Sequence, residues 1–478
     1  MSKKKFVKAV TSRDDDFAQW YTDVVLKTGL ADYAPVKGCM VIRPYGFALW
    51  ENIKNIADGK FKETGHQNAY FPLLIPENFL RKEAEHFEGF SPEVLWVTQG
   101  GDKELTERLL IRPTSETMIC TMYAKWIQSY RDLPVLMNQW CNVVRWEKTT
   151  RPFLRTSEFL WQEGHTVHET KKEAEEETLR MLEIYRQIAE ENMAMPVILG
   201  RKSEKEKFAG ADKTYTMEAM MYDGKALQAG TSHYLAENFS KMFGITFLGR
   251  DGQEHYGWST SWGVSTRLIG GLIMVHGDDR GLRIPPKVAP TQVVIVPIGL
   301  EKGNIGEKAD EIYARLKDKF RVKLDTREEY SIGWKFNEWE MKGIPVRLEF
   351  GNKELSEGYI TAFRRDKLEK IKLSFNNLEQ ELEDLLNTIQ NDMYNDAKER
   401  MESKIYKFDD YYKLKEWSKD SNGFAKIMWS GDMEDEEKLR EDTGLTIRCI
   451  PFDEEKISDK CIISGKDAKH MVYVAKAY

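Results

Sequence analysis

The sequence predicts an α+β protein of three domains, and three observations carry that prediction. Between residues 208 and 276, short apolar runs alternate with glycine turns ("YDGKALQAGTSHYL", "WSTSWGVSTRLIGGLIMVHG"), the pattern of an antiparallel sheet with helices packed on it. The segment "GLRIPPKVAP" (281–290) holds three prolines in ten residues and reads as a linker. After it the pattern changes to alternating strands and helices, and a long amphipathic stretch from residue 378 leads to a last segment. At 478 residues the chain is too long for one core.

Taken in order, "FAQWYTDVVLKTGL" and "GFALWENIKNIADGKFKETG" read as helices closed by Gly29 and Gly65. "NAYFPLLIP" is a short strand-like run cut by Pro72 and Pro76. "KKEAEEETLRMLEIYRQIAEENM" carries apolar residues at 179, 182, 185 and 188, the spacing of an amphipathic helix. Beyond the linker, "TQVVIVPIG", "RVKLD", "IPVRLEFG" and "GYITAFRRD" read as strands, and "GEKADEIYARLKDKF" and "IGWKFNEWEMKG" as helices. That alternation predicts a small α/β domain with a largely parallel sheet. "LEQELEDLLNTIQNDMYNDAKERM", apolar at 378, 382, 385, 389 and 393, predicts a long helix.

Composition narrows the class. The chain is 41% hydrophobic, 12% aromatic and 31% charged, as in ordinary globular proteins. No window approaches the ~18 apolar residues of a membrane helix, and the basic N-terminus has no apolar run behind it, so neither a membrane span nor a secretory signal is expected. Five scattered cysteines (Cys39, Cys120, Cys141, Cys449, Cys461) argue for a reducing, cytoplasmic setting. A net charge of −7 argues against indiscriminate binding to polyanions. From Lys287 to Lys372, however, basic residues outnumber acidic ones.

No phosphate loop of the G-x-x-x-x-G-K-[ST] type occurs, and no G-x-G-x-x-G, H-E-x-x-H or G-x-S-x-G either. A nucleotide would have to be held by side chains on a sheet. "RWEKTTRPFLRTSEFLWQEGHT" (145–166) suits that task. In an extended strand Arg145 and Glu147 share a face, and after the loop at Pro152 Arg155 can reach back over them. A guanidinium there can clamp a phosphate or carboxylate. The return strand sets Phe159, Trp161, Glu163 and His165 on one face at period two. The alternative is an exposed salt-bridged hairpin. "RPTSET" offers Thr114 and Glu116, or else a helix cap by Thr114 or Ser115. "GTSHY" offers Thr231 and His233, and "WGVSTRLIGG" offers Ser265 and Arg267, an arginine opening a glycine-containing apolar helix that could stack on a base. His165 and His168 have a metal-compatible spacing but no third ligand nearby.

Together these stretches resemble the class II aminoacyl-tRNA synthetases, and in detail the prolyl-tRNA synthetases of the archaeal and eukaryote-like type, over almost the whole chain. "FPLLIP" is similar to the family's dimer-interface motif, with Pro72 as its proline. "RWEKTTRPFLRTSEFLWQEGHT" and "WGVSTRLIGGLIMVHGDDRGLRIPP" are similar to its second and third motifs. The resemblance implies a class II antiparallel-sheet catalytic domain over 1–284, an α/β anticodon-binding domain over 285–377 and a small α+β C-terminal domain over 378–478. It implies ATP-binding roles for Arg145, Glu147, Arg155, Gln228, Thr231, Ser265 and Arg267, with Arg145, Arg155 and Arg267 as the catalytic arginines. A proline pocket of Thr114, Glu116, Arg145, Trp161, Glu163, His165, Phe208 and His233 follows, and anticodon contacts by Glu340, Arg347, Lys353 and Arg365. The implied activity joins proline to tRNA(Pro) through a prolyl-adenylate, with ATP and Mg2+, in a cytoplasmic homodimer. Other class II synthetases and a non-catalytic RNA-binding relative are the rival readings.

Two departures stand out. Many relatives carry zinc in the third domain through a WCG-x4-C stretch and a C-I-x-C-G-K; here Ser430, Asp435 and Ser464 stand in place of three cysteines and leave only Cys461. No structural zinc is expected, since a hydroxyl is a poor zinc ligand, and the apolar core should hold the domain. The space between His165 and Trp258 is too short for the editing domain of bacterial-type enzymes, which implies alanine activation corrected by a separate trans-editing protein. The final Tyr478 matches a tyrosine whose carboxylate approaches the active site in this subgroup.

Overall fold

The computed structural model describes residues 9–79, 94–301 and 303–478. Its spine is an eleven-stranded sheet. Near one end Glu158–His168 pairs antiparallel with Val135–Val144 on one side and with Trp258–Ser265 on the other. The sheet continues antiparallel through Ala226–Ala236, Lys213–Met220 and Val197–Arg201.

The helix Lys171–Gln187 covers one face of this sheet and starts at a capping box in which Thr170 and Glu173 satisfy each other's backbone N–H groups. Its buried stripe is Ala174, Thr178, Met181, Leu182 and Tyr185. Leu179, which the sequence pattern placed on that stripe, is 42% exposed. The smaller Ala174 and Thr178 take the sheet-facing positions instead, so the apolar pattern misplaced the face by part of a turn. The third-motif helix Arg267–His276 is buried from Leu268 onward. Gly270 lets it approach the loop after Arg145, because a Cβ there would lie 2.4 Å from the Leu154 side chain.

The second domain holds a five-stranded sheet that is mixed. Val293–Pro297 runs parallel to Val322–Leu324 and Val346–Phe350, but Tyr359–Arg364 and Glu369–Ser374 add antiparallel. The expectation of a largely parallel sheet is corrected on that side. A five-residue helix and a turn, too short for a crossover, separate Phe350 from Tyr359. The helix Leu378–Ser403 packs Leu378, Leu382, Leu385 and Ile389 into the core formed by Val293, Ile295 and Leu348.

The last segment contributes Ile405–Lys407, Phe424–Trp429, Thr446–Pro451 and His470–Ala475 to the spine. Thr446–Pro451 joins Val197–Arg201 through the pairs Ile450 with Arg201 and Pro451 with Gly200. Beneath that seam the Glu218 carboxylate, fully buried, accepts from Lys202 at 2.8 Å and from Arg448 at 3.0 Å.

The substituted residues of the C-terminal segment form a network of their own. The Asp435 carboxylate, 5% exposed, accepts from the hydroxyls of Ser430 and of Ser464 (2.6 Å) and from the Cys461 thiol at 3.5 Å. The sequence reading treated Asp435 only as a lost ligand and left the domain to its apolar core. The structure adds a carboxylate that gathers the three remaining side chains. Burial opposes its charge, but the hydrogen bonds hold its pKa below the usual carboxylate value. Its contribution is therefore present above pH ~4 and lost as pH falls through the lowered value. Asp435→Ala leaves the buried Ser430 hydroxyl without its acceptor and is expected to cost about 1–3 kcal/mol, read as a lower urea midpoint. Dialysis of the unmodified protein against a chelator should leave that midpoint unchanged, and a drop would show that a metal holds the domain.

Candidate active site

Antiparallel registers place the pocket. Met137, His165, Ser261, His233 and Thr214 stand in one row across five strands. The next row is Gln139, Glu163, Gly263, Thr231 and Thr216, and Cys141, Trp161 and Ser265 follow. Because side chains alternate faces along a strand, Phe159, Trp161, Glu163 and His165 project together, as the spacing predicts. They line a cavity of about 270 Å³ with Thr114, Glu116, Arg145, Phe208, Gln228, Thr231, His233, Ser265 and Arg267. The exposed hairpin alternative is thereby overturned for the return strand, where Gln162–His168 are buried.

Glu163 is the polar floor. Its carboxylate accepts from the Ser115 backbone N–H at 3.1 Å and the Gln139 amide at 3.0 Å, and meets His165 Nε2 at 3.0 Å. Burial pushes its pKa up, but His165 and Ser115 more than offset this and bring it down to about 2. Burial likewise opposes charge on His165, yet Glu163 raises its pKa above the ordinary value. Glu116 behaves differently: burial raises its pKa, helped by the Glu163 charge, while Thr114 donates its hydroxyl to it. His233, stacked near Phe208 with ring centres 4.6 Å apart, is held neutral by burial and by His165, with a pKa of about 3. Its two nitrogens meet Thr214 at 3.0 Å and Thr231 at 3.2 Å.

The opposite side of the cavity is cationic. The strand ends at Val144, so Arg145 and Glu147 lie in the following loop rather than in an extended strand. Arg145 Nε donates to the Pro113 carbonyl at 3.1 Å, and its guanidinium lies 5.6 Å from the Phe159 ring and 5.4 Å from that of Trp161. Arg267, at the start of its helix, donates to the Leu154 and Gln228 carbonyls. Burial lowers its pKa, and the charges of Arg145 and Arg155 lower it further, so the three guanidiniums lie in one field. Arg155 and Glu147 pair at 2.9 Å outside the cavity lining, at its exposed rim. The Tyr478 ring lies 5.5 Å from the Arg151 guanidinium, and its hydroxyl donates to Asp223 at 2.6 Å.

Comparison with known proteins shows the family. The family model described as "tRNA synthetase class II core domain (G, H, P, S and T)" matches residues 96–276, "Anticodon binding domain" 292–385 and "Prolyl-tRNA synthetase, C-terminal" 411–478. A Proline--tRNA ligase of Alkaliphilus oremlandii is 61% identical over 100% of both chains. Proline--tRNA ligase 2 of Clostridioides difficile is 59% identical over 100% of this chain and 99% of its own. The chain belongs to the prolyl-tRNA synthetases. A crystal structure of the Cryptosporidium parvum prolyl-tRNA synthetase, complexed with halofuginone and AMPPNP, superposes with a TM-score of 0.95 at 40% identity. It covers 99% of this chain and 100% of its own.

Other residues that the sequence tied to a prolyl-tRNA synthetase are not all free. Glu340 accepts from Arg280 at 2.6 Å, and Arg347 is buried against Glu349 and between the rings of Phe336 and Phe363. Lys353 is exposed. Arg365, 2% exposed, donates to both oxygens of Asp278 at 2.8 and 2.6 Å and joins the first two domains, which withdraws it from an RNA surface. Pro72 lies in the segment before the strand Leu74–Pro76. His168 meets Thr166 at 2.8 Å, and among the described residues no group of three or more metal-ligating side chains is assembled. Sequence reasoning missed Gln139, which faces Glu163 only through strand register. It also missed Ser261, whose buried hydroxyl has no partner between His165 and His233.

A raised pKa means that the proton on His165 stabilises the fold fully below its ordinary value of 6.5, and that this contribution disappears as pH rises through the raised value. An NMR titration of the His165 imidazole should give a midpoint above 6.5, moving down in Glu163→Gln. A midpoint at or below 6.5 in the unmodified protein would break the pairing argument.

Proposed function

We propose that this pocket joins proline to ATP and that the resulting prolyl-adenylate esterifies tRNA(Pro). The observation that carries the reading is one small aromatic cavity with an anionic pole at Glu116 and a cationic pole at Arg145 and Arg267. The pyrrolidine ring packs against Trp161 and Phe208. Its secondary ammonium donates to the Thr114 hydroxyl and to Glu116, since Glu163 is already taken by His165, Gln139 and Ser115. The substrate carboxylate faces Arg145, which also meets the α-phosphate.

ATP lies over the rim, with its phosphates toward Arg145 and Arg155, its adenine stacked on Arg267 and the Glu147 carboxylate accepting from a donor of the nucleotide. Gln228, Thr231 and Ser265 complete its contacts. Mg2+ arrives on the nucleotide phosphates and screens their charge. The proline carboxylate displaces pyrophosphate from the α-phosphorus, and the terminal ribose hydroxyl of the tRNA then displaces AMP from the carbonyl. Both nucleophiles belong to substrates, so the protein's work is orientation and neutralisation of developing charge.

The proposal keeps residues 1–284 as the catalytic unit, 285–377 as the anticodon-binding unit with Glu340 and Lys353 facing RNA and the buried Arg347 supporting them, and 378–478 as a zinc-free C-terminal unit. A cytoplasmic homodimer, joined around the Pro72 segment, and a separate trans-editing protein complete it. Alanine lacks ring methylenes worth only ~1–3 kcal/mol each, so alanine-dependent ATP–pyrophosphate exchange should be measurable at high alanine. Arg145→Ala should reduce proline-dependent exchange by about 100-fold or more while its circular dichroism and melting stay near those of the parent. Exchange within a few-fold of the parent would remove Arg145 from the reaction.

A further inference from the structure

A second cavity, about 530 Å³, is separate from the catalytic one. It opens between the first domain and the α/β domain and shares no lining residue with the proline pocket. Its size falls in the range of about 300–1,000 Å³ that holds ligands.

Its walls combine aromatic rings with unneutralised charge. From the α/β domain come Trp334 and Trp339, both on the helix Ile332–Met341, and Lys323 on the edge strand Val322–Leu324. From the first domain come Tyr45 and Arg43. Trp334 is backed by Tyr330, with ring centres 3.9 Å apart and planes 14° from parallel, and Tyr330 is 37% exposed. Arg327 lies over both rings, at 4.9 and 5.5 Å, and is fixed there by Asp325 and Glu338. The stack is thus rigid before any ligand arrives.

The charges are the second observation. Glu338 is the carboxylate in the lining, and it is already paired with Arg327 and Lys342. Arg43 and Lys323 have no carboxylate within ion-pair distance among the described residues, and both are exposed. A lysine on an edge strand often serves only to block strand pairing. Here it shares a cavity with an arginine contributed by the other domain, which that role does not explain. Two cations without a carboxylate partner, Lys323 resting 6.0 Å from the Trp339 ring, beside a braced aromatic stack match a nucleotide: the base on the ring, the phosphate between the charges.

We infer that this interdomain cavity takes one unstacked nucleotide of the bound tRNA, with its base on Trp334 and its phosphate at Arg43 and Lys323. RNA is favoured over a free nucleotide because the cavity spans two domains that a tRNA must bridge, and one of its walls belongs to the chain's basic stretch. The inference rests on the tRNA ligase reading. It assigns Trp334, Arg43 and Lys323 as RNA-positioning residues away from the chemistry.

The test measures tRNA(Pro) transcript binding and aminoacylation by the full chain carrying Trp334→Ala, Arg43→Ala or Lys323→Ala. Proline-dependent pyrophosphate exchange without tRNA, read in the same preparations, separates a lost fold or a failed ligase reading from a lost RNA contact. Trp334→Ala should raise the KM for tRNA by about 10-fold with little change in kcat. Trp334→Phe should restore most of it. Arg43→Ala and Lys323→Ala should each lower the salt slope of tRNA binding by about one. An unchanged KM and salt slope in all three, with exchange intact, would overturn the proposal. So would saturable quenching of Trp334 fluorescence by AMP or inorganic phosphate alone, abolished in Arg43→Ala, since that outcome assigns the cavity to a free ligand.

Discussion

The catalytic face depends on keeping one buried carboxylate, Glu163, ionised. A carboxylate taken from water without partners would neutralise itself by binding a proton. Glu163 avoids this because its donors arrive from separate elements. Ser115 comes from the start of the helix Glu116–Trp126, Gln139 from the neighbouring strand and His165 from its own. Shifting the Gln139 strand by one residue would turn that side chain to the other face and leave the charge short of a donor. The bonds that satisfy Glu163 therefore support the register of the strand pair on which Trp161 stands, and the ladders to the next strands carry it on to Ser265 and His233. Pocket shape and pocket charge are one constraint.

That constraint is transmitted by the sheet itself. The spine does not stop at the first domain but continues through Val197–Arg201 into the strands of the last segment. At the seam Glu218 holds Lys202 and Arg448, and Thr216 donates to the same carboxylate at 2.8 Å. Removing one member of such a buried set costs about 3–5 kcal/mol because a charge is left uncompensated. Exposed pairs such as Lys456 with Asp459 are worth far less. Asp278 and Arg365 play the corresponding part between the first domain and the α/β domain. A few largely buried ionic contacts thus join the three parts, and Glu436, 4% exposed, adds another buried carboxylate at the junction, accepting from Ser203.

Period two in the return strand was legible in the sequence, because alternation along one strand needs no knowledge of its neighbours. The proline linker and the long helix were legible for the same local reason. What pairs with what was not. Gln139 and Ser261 join the site only through register, a property of two strands at once. The strands Tyr359–Arg364 and Glu369–Ser374 look alike in sequence whether they pair parallel or antiparallel. Arg365 stood among the anticodon contacts because nothing near it in sequence reveals Asp278, which lies in another domain. Asp435 was visible as a lost ligand but not as an acceptor, since its donors Ser464 and Cys461 are distant in the chain.

The remaining point is how a pocket of about 270 Å³ can orient a zwitterion. Of its three carboxylates Glu206 is exposed, and the two buried ones are made unequal: Glu163 is fixed as an anion but already neutralised by His165, while Glu116 has a raised pKa and faces the cavity with Thr114. His233 adds no charge, having been pushed neutral. The only uncompensated cations are then Arg145 and Arg267, on the side where the loop and the third-motif helix meet. In the proposed reading, an amino acid entering this field is turned with its ammonium inward and its carboxylate toward the arginines. Reversing it would set a carboxylate against Glu116 and an ammonium against two guanidiniums. The field alone therefore presents the attacking oxygen on the side where the proposed reading puts the nucleotide. Ring contacts with Trp161 and Phe208 need only select the side chain.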